Sequence, residues 1–168
     1  PKAQIIEAII QKATELGVHC VVPLLSERTT TRLDDESAAA KREKWQMTAV
    51  EAIKQCGNPW LPRIETPITP ELLLARGETF ELALVASLQG DGRHPREHFQ
   101  AFLSRQARLP TSICIWVGPE GDFTPEEISA IKAAGALPIS LGPLVLRSET
   151  AAVYCLSVLN YELQSPNG

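Results

Sequence analysis

Ile115-Trp116-Val117-Gly118-Pro119-Glu120-Gly121-Asp122-Phe123-Thr124-Pro125-Glu126-Glu127-Ile128 is the stretch that decides the fold. Residues 112–117 are apolar without alternation, the mark of a strand covered on both faces. Gly118-Pro119-Glu120-Gly121 reads as a turn. Thr124-Pro125 supplies an N-cap hydroxyl and a proline at the first helical position, and Glu127 is the glutamate of a capping box. A buried strand running through a glycine turn into a capped helix is half of a parallel βαβ unit.

The same alternation extends in both directions. Downstream, the helix stops at Gly135, residues 137–141 form a strand, 142–148 a loop and 149–163 a final helix. Upstream, 80–88 is a second two-sided apolar strand, followed by a Gln89-Gly90-Asp91-Gly92 loop and a helix over 95–106. Thr69-Pro70-Glu71 starts a short helix ending near Gly77. Residues 4–16 carry an apolar stripe of Ile5, Ile6, Ile9, Ile10, Ala13 and Leu16, closed by Gly17, so they form a helix. Residues 18–25 form a short strand, 26–36 a polar loop and 37–56 a helix with Trp45, Ala49, Ala52, Ile53 and Cys56 on one face. The expected fold class is α/β, a mostly parallel sheet flanked by helices.

The chain has 168 residues, 44% hydrophobic and 21% charged. That is enough to bury the core of one domain and excludes a disordered tail or a coiled coil. No apolar run approaches the roughly 18–20 residues that span a bilayer. The start, Pro1-Lys2-Ala3-Gln4, has no Met and no signal sequence, so the expectation is a piece of a longer, cytoplasmic protein. A net charge of −4 gives no electrostatic prior for nucleic acid. Cys20, Cys56, Cys114 and Cys155 are too far apart for a C-x-x-C site and read as reduced core cysteines. His94 and His98 are four residues apart, but Pro95 and the lack of a third ligand speak against a metal, and none is expected.

Ligands of open α/β sheets sit outside the carboxyl ends of the strands. The loops at 87–92, 118–123 and 142–148 leave such ends, and each holds glycine, which lets backbone approach a ligand closely. Gly118-Pro119-Glu120-Gly121 lacks the Lys and Ser/Thr of a P-loop and is not a dinucleotide fingerprint; by itself it is also compatible with a plain β-turn. Leu141-Gly142-Pro143-Leu144-Val145-Leu146 is an apolar loop, costly to leave in water. It is either buried or clamps a flat apolar ligand such as an adenine. The last helix is apolar nearly all round, which implies a partner subunit or a central place in a monomer.

Together, Ile115 to Thr150, with Q-K-A-T-E-L-G-V at 11–18, S-E-R at 26–28 and E-A-I-K-Q-C-G-N at 51–58, resemble the RsmE-type methyltransferases of the SPOUT superfamily. The resemblance covers essentially the whole chain as one SPOUT domain. It implies S-adenosylmethionine-dependent methylation of uracil N3 in 16S ribosomal RNA of the small subunit and a deep C-terminal trefoil knot forming the cofactor pocket. It also implies a homodimer packed through the last helix and an upstream PUA-like domain outside this sequence. Three positions depart from the pattern: Asp122 stands where the family commonly has glycine, Leu144 where it has arginine, and Asn58 where arginine often follows Q-C-G.

The implied cofactor-binding residues are Leu88, Gly118, Glu120, Gly121, Leu141, Gly142, Leu144 and Leu146. Uracil N3 is protonated at neutral pH, so the reaction needs a proton acceptor and a donor for charge developing on the uracil oxygens. Arg147 fits the donor role, or else forms a salt bridge to Glu149 or Glu120 that fixes the loop. Glu149 and Glu120 are both candidate bases. RNA contacts fall to Arg28, Arg32, Gln55 and Arg63, with Arg93 and Arg96 at a loop. Two other activities fit these residues: methylation of a ribose 2′-oxygen or another base by a related SPOUT enzyme, and non-catalytic binding of cofactor or RNA by a dimer.

Overall fold

The structure is a computed structural model and describes residues 3–27, 35–86, 88, 90–119 and 121–164. The elements run α1 (Ala3–Glu15), β1 (Cys20–Val21), α2 (Asp35–Cys56), β2 (Arg63–Ile64), α3 (Pro70–Leu74), β3 (Leu82–Ala86), α4 (Pro95–Gln106), β4 (Ile113–Val117), α5 (Pro125–Ala133), β5 (Leu137–Ile139) and α6 (Ser148–Leu163). All strand pairing between these elements is parallel, as the alternation predicts.

The strands form two sheets rather than one. β3 is central in a three-stranded sheet of order β4-β3-β5. Its side chains alternate between two buried faces. Leu82, Leu84 and Ala86 pack with Phe99 of α4 and Cys155 and Leu159 of α6. Val85 faces Trp116, Phe123 and the α5 pair Ile128 and Ile131. β1 and β2 pair separately, with a further bridge from Leu24 to Ile68. The strand expected over 18–25 is thus cut short. Pro23 lacks an N–H, and the facing segment carries Pro62 and Pro67, so the ladder is interrupted on both sides. A third apolar cluster, Ile10, Trp45, Ala49 and Ile64, joins α1 and α2 to β2.

Helix starts follow the cap residues. Thr124 accepts from the Glu127 N–H at 3.2 Å, and the Glu127 carboxylate accepts from the Thr124 N–H at 2.9 Å. His94 caps α4 in the same reciprocal way with Glu97. Glu127 does more than close its box: only 2% exposed, it also accepts from the Ser26 hydroxyl at 2.8 Å and the Glu27 N–H at 3.0 Å. A buried carboxylate with three donors pins the segment after β1 to the start of α5. Asn160 on α6 donates to the Leu16 carbonyl at 3.1 Å, tying the last helix to the end of the first.

The cysteine expectation needs correction at Cys56, which is exposed; Cys155 is buried, and Cys20 and Cys114 are half-buried. Burial pushes the Cys114 and Cys155 thiols up to about 12. No helix among the described residues is long and apolar enough to cross a membrane.

Candidate functional site

Because β3, β4 and β5 run parallel, their carboxyl ends share one edge of the sheet, and the three glycine-bearing loops meet there. They enclose a cleft of ≈ 250 Å³. Its wall includes Leu88 and Gly92 after β3, Gly118 and Asp122 after β4, and the whole run from Ser140 to Leu146 after β5. Ser148 and Ala151 at the start of α6 close the back. The volume lies just under the ~300 Å³ lower end of common small-molecule sites.

The glycines act in different ways. A Cβ on Gly92 would stand 2.4 Å from the Ile139 carbonyl carbon, so only glycine lets this loop lie against β5. There the Arg93 N–H donates to the Pro138 carbonyl and the Ser140 N–H to the Arg93 carbonyl. A Cβ on Gly118 would meet Asp122 Oδ1 at 2.8 Å. Gly142 has nothing within 4 Å but takes φ +109°, so its requirement is conformational, not the close approach that its place in the loop suggests.

Two alternatives for the apolar loop are resolved by exposure. Leu144 and Val145 are each 74% exposed and stand at the cleft mouth, so the loop tip is not buried in the protein. At the back, the Ser148 side-chain oxygen is buried and has no hydrogen-bond partner. An orphaned hydroxyl and two unshielded apolar side chains suit a ligand that is flat and apolar with polar edges.

Of the sequence-derived cofactor residues, Leu88, Gly118, Leu141, Gly142, Leu144 and Leu146 line the cleft. Gly121 is exposed and is not part of the wall. Glu120, Arg28 and Arg32 lie outside the described residues. Arg147 and Glu149 flank Ser148 without lining the cleft. Arg147 is exposed, and among the described residues its guanidinium has no hydrogen bond or ion pair. The alternative salt bridge to Glu149 is therefore not made, and Glu149 Oε2 is buried without a hydrogen-bond partner.

The sequence marked Asp122 only as a departure able to alter cofactor or substrate contacts, and Ser148 only as a member of the polar run that starts the last helix. The only signal for Ser148 was its place between Arg147 and Glu149 at a helix start.

The RNA candidates are not brought together. Gln55 lies on the outer face of α2, in a shallow depression with Gln11, Lys44 and Met47. Arg63 is on β2, exposed and paired with Glu65 at 3.1 Å. Arg96 is held by Glu162 at 3.0 Å. His94 and His98 are used structurally, the first as a cap and the second against the Pro138 carbonyl at 3.1 Å. No group of three His, Cys, Asp or Glu placed to hold a metal occurs among the described residues.

A parallel sheet with this cleft at its carboxyl edge matches one family throughout. The RNA methyltransferase domain family covers residues 1–160, and the chain belongs to it. The chain is 35% identical to the ribosomal RNA small subunit methyltransferase E of Bacillus subtilis, over 100% of this chain and 65% of that protein. It is 36% identical to the Synechocystis protein of the same name, over 98% of this chain and 52% of that one. The chain thus spans between half and two thirds of the length of these relatives.

Solved structures agree. A methyltransferase from Legionella pneumophila in complex with the cofactor SAM aligns with a TM-score of 0.82 at 34% identity. That alignment covers 94% of this chain and 61% of the other. The small subunit methyltransferase E of Neisseria gonorrhoeae, bound to S-adenosyl methionine, gives 0.77 at 26% identity, with the same coverage.

Proposed function

We propose that this chain is the catalytic domain of a cytoplasmic enzyme that uses S-adenosylmethionine to methylate uracil N3 in 16S ribosomal RNA of the small subunit. The observation that carries the reading is the convergence of three parallel-strand loops on a cleft with an exposed Leu144–Val145 wall and an unpartnered Ser148 hydroxyl. The family and the cofactor-bound relatives support it.

Bound there, S-adenosylmethionine supplies an electrophilic methyl group on a sulfonium sulfur. The chain's residues do the rest. Leu144 and Leu146 would hold the adenine by apolar contact, and backbone groups of the 140–146 loop would bond its polar edge. Arg147, with no partner among the described residues, donates to the uracil oxygens as negative charge develops there. Glu149, with one carboxylate oxygen unpartnered, takes the N3 proton; Glu120 is the alternative base. Arg28, Gln55 and Arg63 contact RNA together with an upstream PUA-like domain of the longer protein, and two copies pair through α6.

The C-terminal segment forms a deep trefoil knot in this reading. The connection leaving β3 pairs along β5 through Arg93 and Ile139, while the chain after β5 turns back to pack α6 against β4 and α4. That routing supports a threaded chain, which an experimental chain trace tests.

The deciding experiment incubates the full-length protein with labelled cofactor and unmethylated small subunits, followed by mass spectrometry of nucleosides. N3-methyluridine is expected. A ribose-methylated or other base product, or cofactor binding without turnover, would replace the proposal by the corresponding alternative. Gly118→Val, which drives a side chain against the Asp122 carboxylate in the cleft wall, is expected to lower cofactor affinity at least about tenfold by calorimetry. Unchanged affinity would reject the cleft as the site.

A further inference from the structure

The buried carboxylate of Glu127 does two jobs with its two oxygens. Oε2 closes the capping box of α5 by accepting from the Thr124 N–H, and it also accepts from the Ser26 hydroxyl. Oε1 takes no part in capping: it accepts from the Glu27 N–H at 3.0 Å, 100 positions away in sequence. Capping alone does not call for burial. Glu97 completes the box of α4 from an exposed position, whereas Glu127 is 2% exposed. Taking a carboxylate out of water is costly unless its oxygens are met by donors, so the burial of Glu127 is matched to the segment after β1. That tie lies close to the cleft. Asp122 stands in the cleft wall, and Thr124 follows two residues later. Two residues of chain and the bonds through Glu127 keep the Glu27 nitrogen within about 15 Å of that wall. Arg28 is the next residue in the chain. Gln55, by contrast, lies on the outer face of α2, and Arg63 is paired with Glu65 on β2.

We infer that Glu127 is a positioning residue for the RNA substrate. Through Ser26 and Glu27 it fixes the point at which the chain enters Arg28, so that this guanidinium meets a backbone phosphate near the nucleotide presented to the cleft. This rests on the reading that the cleft holds the cofactor and that Arg28 contacts RNA. Phosphate contacts carry no sequence information; they set the register and orientation of the nucleic acid. Register matters most beside a reacting centre, where a misplacement of about 1 Å can cost about 10²-fold in rate. A long arginine side chain sets register only if the backbone that carries it is itself held. Three hydrogen bonds to one buried carboxylate hold it, and they join it to the same turn that forms the cleft wall.

The test is a double-mutant cycle in the full-length protein: wild type, Glu127→Gln, Arg28→Ala and the pair. For each, the dissociation constants for unmethylated small subunits and for S-adenosylmethionine are measured. Gln turns an amide NH₂ toward a site with three donors, so the tie to Ser26 and Glu27 loosens. Each single variant is expected to weaken small-subunit binding about three- to tenfold and to leave cofactor affinity within about twofold. The pair should bind no worse than Arg28→Ala alone, because the tie acts through Arg28. A tie that only braced the fold would weaken binding by the same factor with or without Arg28, or would weaken cofactor and RNA together. Either result would overturn the inference, as would wild-type binding by Glu127→Gln. If Glu127→Gln does not fold, Ser26→Ala, which removes one of the three donors, takes its place in the cycle with the same expectations. Wild-type binding by Arg28→Ala would instead reject the RNA role of Arg28, and a wild type that binds no cofactor would reject the cleft.

Discussion

Arg147 stands at the N-cap of α6 with φ −64° and ψ 152°, yet its side chain makes no cap bond. A guanidinium with no partner among the described residues, beside the proposed cofactor cleft, is available for charge that appears only during reaction. In the full-length protein, Arg147→Ala is expected to lower single-turnover methylation about 10²–10³-fold while leaving cofactor affinity within a few-fold. Arg147→Lys should recover little, since it keeps the charge but not the planar fork. A residue that merely braced the loop would instead lower thermal stability, affinity and rate together. Methylation by the alanine variant within a few-fold of wild type would remove Arg147 from the chemistry. At this scale the sequence was partly legible. Six of the eight residues that the family resemblance implies for the cofactor line the cleft, because the loops that carry them leave the carboxyl ends of neighbouring parallel strands. The tie between Asp122 and Leu88 was not legible, since it spans 34 positions and no local pattern encodes it. Ser148 was hidden for a similar reason: serine at a helix start is ordinary, and only burial without a partner sets it apart.

Elements show the same division between local and distant information. α4 and α5 were legible to the residue at their starts, because proline and capping boxes act within one turn. β2 was not, being two residues long and defined only by its pairing with β1. Another distant tie sets the β3–β4 register. Glu81, just before β3, accepts from both terminal nitrogens of Arg108 and from the Thr111 N–H at 2.7 Å, holding the chain that enters β4. The Arg108 guanidinium, followed by the Thr111 N–H, pulls the Glu81 carboxyl down to about 2. A folded value below the ordinary carboxyl range means stabilisation that is fully present above that range and is lost as pH falls through the folded value. The melting-temperature gap between wild type and Glu81→Gln is therefore expected to be widest above about pH 5 and to close toward pH 2. Thermal scans across that range measure it, and a gap independent of pH would show that the tie is not electrostatic. The pair is solvent-exposed, so the gap should also narrow in high salt.

At the scale of the whole molecule, the all-round apolar character of the last helix resolves into two faces. Ala151, Ala152, Cys155 and Leu159 are buried within the protomer, where α6 packs on α1, β4 and α4. Tyr154 and Tyr161, seven residues apart and so on one face, remain exposed, with Val158 half-buried between them. The central-helix reading of the sequence describes the buried side of α6, and the exposed side is the face on which the proposed partner would pack. The buried side also decides which substitutions can test pairing. Leu159 is 9% exposed and belongs to the β3 core, so a charge there is expected to unfold the protomer whether or not a dimer exists. Tyr161 is 68% exposed and carries no such burden. In a two-fold pair the same face meets its copy, so Tyr161→Glu places a desolvated carboxylate in each half of the interface. The expected result is a wild-type dimer at micromolar concentration by sedimentation and a dissociation constant raised roughly 10²-fold or more in the variant. Circular dichroism and melting of the separated protomer should keep the wild-type cooperative transition, because its core is untouched. A wild-type chain that sediments as a monomer at micromolar concentration would reject pairing through α6, and a Tyr161→Glu dimer of wild-type affinity would place the interface on another face.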